Sequence, residues 1–133
     1  MLKKIIWSND YCIGLPEIDS QHSKIIDQIN YLIDNHNCKA KASLNQEIIL
    51  FLDKYAKEHF STEEEYLRKS NYPDLDNHLK LHQEFKLWTV KSAVKIMKGQ
   101  EDVTQETITF LKNWWTDHIL KADMEFKNFI PKN

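Results

Sequence analysis

Residues 48–67 read IILFLDKYAKEHFSTEEEYL, a stretch with neither glycine nor proline. Ile48, Leu52, Tyr55, His59, Glu63 and Leu67 recur at steps of three and four, the period that puts side chains on one face of an α-helix. The apolar members mark that face as the one turned to a core. His59 and Glu63 share it, about 6 Å apart along the helix axis. A histidine and a carboxylate on a core-facing stripe cost free energy unless something satisfies them.

Three other segments have the same habit. From about Asp19 to Asn35 the stripe is His22, Ile26, Ile29 and Ile33, with Ile25 and Leu32 beside it, and Asp19 suits the N-cap. Residues 74–98 present His78, His82, Phe85, Thr89, Ala93 and Ile96, and Gly99 suits the left-handed position after a helix. A fourth helix, starting near 102–104, carries Ile108, Leu111, Trp115 and His118. The second helix is expected to start near Ser43, where Ser43-Leu44-Asn45-Gln46 resembles a capping box. It ends before the turn Ser70-Asn71-Tyr72-Pro73. Residues 1–17, with Trp7, Tyr11, Gly14 and Pro16, read as a non-helical arm. The expected fold is all-α: an up-down-up-down four-helix bundle, one domain over 1–133, with helices at about 19–35, 43–69, 74–98 and 102–119.

The bulk properties narrow the function. A chain of 133 residues can bury one real core. Net charge is −2 with both signs dispersed, which offers no basic stripe for nucleic acid. The N-terminal apolar run is too short for an export signal, and no run approaches the ~20 residues of a membrane span. The expectation is a cytoplasmic chain with Cys12 and Cys38 as free thiols. No long exposed apolar stripe stands out, which makes a monomer the default.

Each buried stripe contains metal-capable residues: His22; His59 and Glu63; His78 and His82; His118. The i,i+4 pair His78/His82 suits chelation. Four helices that all aim such groups inward need a common partner in the middle. His36, at the expected end of the first helix, is read as exposed or capping.

The motifs Ile18-Asp19-Ser20-Gln21-His22, His59-Phe60-Ser61-Thr62-Glu63-Glu64, His78-x-x-x-His82 and Trp114-Trp115-Thr116-Asp117-His118-Ile119 with Asp123 resemble the hemerythrin family. Trp7, Tyr11 and Gly14 resemble its bacterial branch. The resemblance implies a non-haem di-iron centre with a bridging oxide or hydroxide, held by His22, His59, Glu63, His78, His82, His118 and Asp123. It implies that His78, His82 and His118 bind one iron, and His22 and His59 the other. Two six-coordinate irons offer about twelve positions. Five imidazoles, two bridging carboxylates and a bridging oxygen fill all but one, on the His22/His59 iron. Ile25, Ile29, Phe60, Trp114 and Trp115 would wall that opening. Where the family commonly has leucine, three residues before the last histidine, this chain has Trp115.

The implied function is reversible binding of dioxygen, as a carrier, store or sensor and not as an enzyme. A histidine-rich set carries less negative charge than a ferritin-like carboxylate set, which favours ferrous iron and reversible binding. The competing readings are a di-iron redox enzyme acting on peroxide or nitric oxide, an iron store for cluster repair, and a structural bundle with incidental zinc.

One difficulty is geometric. His118 and Asp123 are five residues apart, which separates them by ~140° on a regular α-helix. Either a π-type widening lies between them, or the helix ends near Ile119 and the chain folds Asp123 back, with Pro131 and Phe126–Phe129 in a short packed terminal segment.

Overall fold

The computed structural model describes residues 2–37, 40–100 and 105–129. Helix α1 (Pro16–Asn35) starts with proline at its first position, where a missing N–H is no loss. Its N-cap is therefore Leu15, and the expected cap at Asp19 does not form. Asp19 lies inside the first turn instead. Its carboxylate accepts hydrogen bonds from the N–H groups of Ile13 at 2.8 Å and Gly14 at 3.1 Å, which ties the arm to the helix. Gly14 takes φ +88°, a left-handed conformation that suits glycine, at this bend.

The second rod is α2 (Lys41–Leu50), a π-helical segment (Phe51–Ala56) and α3 (Lys57–Lys69). It begins two residues before Ser43, with Ala40 as N-cap, so the expected capping box is not formed. The π-helical segment adds a residue to one turn. Leu44 and Ile48 upstream of it, Phe51 and Leu52 within it, and His59, Glu63 and Leu67 downstream are all buried. The turn that follows passes through Asn71 at φ 54°, and the Tyr72 N–H donates to the Leu67 carbonyl. Helix α4 (Leu75–Met97) closes with Gly99 at φ 71°, where the Gln100 N–H donates to the Lys95 carbonyl.

The last rod is α5 (Gln105–Asp117), a π-helical segment (His118–Asp123) and α6 (Met124–Phe129). The helix does not end near Ile119; it widens there and continues. The expected start at 102–104, Cys38 and Pro131 lie outside the described residues. Cys12 is a free, half-buried thiol.

The rods form an all-α four-helix bundle. Helix α1 packs against the second rod and α5, and α3 packs against α4. A large apolar core, including Ile25, Ile29, Phe51, Phe60, Phe85 and Trp115, fills one end. A smaller cluster of Ile13, Ile18, Leu67, Tyr72 and Phe126 closes the other. Ile5 is held to α1 by paired hydrogen bonds with the Asn30 side chain at 2.7 and 2.8 Å. The Lys127 ammonium donates to the Cys12 carbonyl, which fastens the arm to α6.

The surface departs from expectation. Leu87, Val90, Val94 and Met97, spaced three, four and three apart on α4, are 58, 60, 43 and 72% exposed. Beside them an apolar groove of about 720 Å³ runs between α2 and α4, lined in part by Ile49, Leu50 and Ala93. A period counted from His78 and His82 marks only the buried face of α4, and this exposed apolar face removes the surface ground for expecting a monomer. Among the described residues, no helix is long and apolar enough to cross a membrane.

Candidate metal centre

Between the two apolar clusters lie seven polar side chains, none more than 5% exposed: His22, His59, Glu63, His78, His82, His118 and Asp123. They fall into two groups that share Glu63. One is Glu63, His78, His82 and His118; the other is His22, His59, Glu63 and Asp123. Within each, one ligand atom per residue lies within 4.8 Å of all the others.

The π-helical segment is what brings His118 and Asp123 together. A π-type turn takes about one residue more than an α-turn, so a five-residue spacing returns to nearly the same face. Asp123 Oδ1 stands 3.3 Å from His118 Nε2 and 3.2 Å from His78 Nε2, while Oδ2 stands 3.1 Å from His22 Nε2.

Glu63 is divided in the same way. Oε2 stands 3.0 Å from His59 Nε2 and 3.6 Å from His22 Nε2. Oε1 contacts His78 Nε2 and lies 3.1 Å from His82 Nε2 and 3.5 Å from His118 Nε2. Each carboxylate therefore turns one oxygen to each side of the centre.

The ring orientations are held from outside. His59 Nδ1 faces Gln21 Oε1 at 3.0 Å, and Gln21 is itself oriented by donating from Nε2 to Thr62 Oγ1. His82 Nδ1 faces Glu64 Oε2 at 2.8 Å. A proton on each Nδ1 donates to these acceptors and leaves the Nε2 lone pair facing inward. Phe60 stacks on the His82 ring at 4.2 Å, and Trp114 on the His118 ring at 4.6 Å. Gln21 and Glu64 sit beside His22 and Glu63 in the motifs, although the sequence expectation gives them no role. That adjacency was the available signal.

The centre crowds nitrogen and oxygen lone pairs against one another. His22 Nε2 lies 3.0 Å from His59 Nε2, and His82 Nε2 lies 3.1 Å from His118 Nε2. Glu63 Oε2 and both oxygens of Asp123 are buried without a hydrogen-bond partner. Buried polar atoms in native proteins are nearly always satisfied. Imidazole lone pairs and carboxylate oxygens crowded together fit divalent cations between them, and the mixed nitrogen and oxygen donors suit first-row transition metals, iron among them.

Without metal, protons take the cations' place. Burial pushes the His22 ring down, but Asp123 and Glu63 together carry it up to about 9. The same opposition carries His78 up to about 10. Burial, reinforced by His22, holds His59 below its ordinary value. For Glu63, burial is outweighed by His59, His118 and His22, which hold it well below the carboxylate range. Asp123 is also lowered: burial and Glu63 oppose this, but His118, His22 and His78 prevail.

Of the residues expected to wall the opening, Ile25, Ile29, Phe60 and Trp115 are buried in the large core, and Trp114 is half-buried against it. His36 stands apart, at the C-cap of α1, with Nδ1 2.9 Å from the Ile33 carbonyl oxygen.

The bundle and the paired histidine–carboxylate groups define a class of helical protein with a buried dinuclear-type donor set. Residues 14–130 match the model of the hemerythrin HHE cation binding domain. A bacteriohemerythrin of Stenotrophomonas maltophilia is 30% identical over 126 residues, covering 95% of this chain and 81% of the relative. One of Clostridium acetobutylicum is 31% identical over 125 residues, covering 91% and 97%. A myohemerythrin of Theromyzon tessulatum is 29% identical over 122 residues, covering 91% and 89%. A crystal structure of a wild-type hemerythrin superposes with a TM-score of 0.87 at 25% identity, covering 93% of this chain and 95% of that one. The chain belongs to the hemerythrin family.

Proposed function

We propose that this protein binds dioxygen reversibly at a di-iron centre held by His22, His59, Glu63, His78, His82, His118 and Asp123. The observation that carries the reading is the division of both carboxylates, each with one oxygen toward His22 on one side and one toward His78 and His118 on the other. That is the arrangement two adjacent cations sharing both carboxylates require. Bound there, two ferrous ions supply the two electrons and the open coordination position that dioxygen binding uses.

The chain's own part is to hold and to exclude. Gln21 and Glu64 keep protons on the outer nitrogens of His59 and His82, so their inner nitrogens stay available. The group of His22 and His59 has two imidazoles and the other has three, so a metal held on the His22/His59 side would have fewer protein donors and more room for an added ligand. Ile25, Ile29, Phe60, Trp114 and Trp115 present apolar surface to the centre: Phe60 and Trp114 stack on His82 and His118, and the Trp115 ring lies nearer His59 than His118. A dry wall slows the entry of water and protons that would release a reduced ligand.

The test is an optical spectrum of the iron-loaded, reduced protein before and after admission of air, and again after deoxygenation. A visible charge-transfer band that appears with air and disappears without it supports reversible binding. Irreversible conversion to a ferric spectrum in one exposure contradicts it and favours a redox enzyme acting on peroxide or nitric oxide.

A further inference from the structure

The Trp115 side chain is fully buried, and its indole Nε1–H has no hydrogen-bond partner in the protein. The ring stacks on Phe60 at 5.4 Å and 12°, and meets Phe85 at 5.4 Å, Trp114 at 5.1 Å and Phe51 at 6.4 Å. None of these four carries a side-chain acceptor for an uncharged N–H other than a ring face. The polar rings it meets are His59 at 5.7 Å and His118 at 6.4 Å, one from each half of the centre. Both His59 nitrogens already have partners, Gln21 on one side and Glu63 on the other. His118 Nε2 faces Glu63 and Asp123. A buried donor held against the site and left without an acceptor costs free energy, and an acceptor arriving at the centre removes that cost.

We infer that the Trp115 Nε1–H donates a hydrogen bond to the ligand that enters the open position beside His59. This rests on the di-iron reading and adds ligand selectivity to it. The indole makes the pocket discriminate in favour of small anions and other ligands with an exposed lone pair. A leucine at this position would supply bulk without a donor.

Azide, a small linear anion, is the probe, added to the ferric, iron-loaded protein and followed optically. Trp115→Phe keeps an aromatic ring and removes the N–H. Azide affinity is expected to fall about tenfold or more, since hydrogen bonds to charged groups are the stronger kind. With the protein unfolded, refolded and iron-loaded in deuterium oxide so that the buried indole exchanges, the azide stretch in the infrared is expected to shift in the parent protein and not in the variant. The parent shift needs no variant, so poor folding of Trp115→Phe leaves a decisive measurement. Unchanged affinity in Trp115→Phe with tighter binding in Trp115→Leu makes the indole a plug and overturns the inference, as does a parent azide stretch indifferent to deuterium. In those cases two irons per chain would still be present, and the di-iron reading would stand. A parent that cannot hold two irons overturns both.

Discussion

Loading the metal-free protein with ferrous iron at pH 7.5, without oxygen, should release at least two protons per chain, and more where a water is deprotonated to a bridging hydroxide. The carboxylates that await the metal hold His22 at about 9 and His78 at about 10. Both rings are therefore protonated at pH 7.5, and both must lose that proton to offer a lone pair. Protons on these two rings compete with the metal and lower its apparent affinity at pH 7.5 relative to pH above 10. Between about pH 7 and 8.5 the apparent affinity should climb steeply with pH, as the exchange of more than one proton for metal requires. Anaerobic titration in a weakly buffered indicator solution reads the protons, and chelator competition reads the affinity. Linkage gives stability the opposite sign. Both folded-state values lie above the ordinary histidine value, so their contribution is full below about 6.5 and is lost as pH rises through 9 and 10. The melting temperature of the metal-free chain should fall across that window while the gain on loading grows. Release of no protons, with an affinity flat from pH 7 to 8.5, would refute the reasoning.

Replacing His22 or His82 with alanine should abolish dioxygen binding while leaving some metal; a normal oxygenated spectrum from either variant removes that residue from the ligand set. Asp19→Ala deletes the acceptor of two arm N–H groups and should cost about 2 kcal/mol in denaturant unfolding with iron content unchanged; a loss under about 0.5 kcal/mol means the arm is held by other contacts.

The rods were legible because histidines and apolar residues recur with helical period and glycine or asparagine closes the turns. The site was legible as residue types, since His59/Glu63 and His78/His82 each occupy one helix face. Asp123 was legible only as a conflict with α geometry. A π-type turn has no composition of its own; it arises where residues on both sides of it must face one core. The segment at Phe51–Ala56 left no such conflict in the sequence reading, because the residues chosen for one stripe ran through it unbroken. Caps failed for a related reason. Asp19 and Ser43 are good capping residues, but Pro16 had already started α1, and the second rod began at Lys41. The apolar face of α4 was missed because burial was assigned by period from the histidines, which says nothing about residues on the far side.

The central claim is that seven buried side chains hold a pair of irons. Metal analysis after anaerobic ferrous loading and removal of excess iron tests it most directly, repeated with zinc in competition. The account predicts two irons per folded chain, retained against equimolar zinc. One metal per chain, or zinc in place of iron, would contradict it.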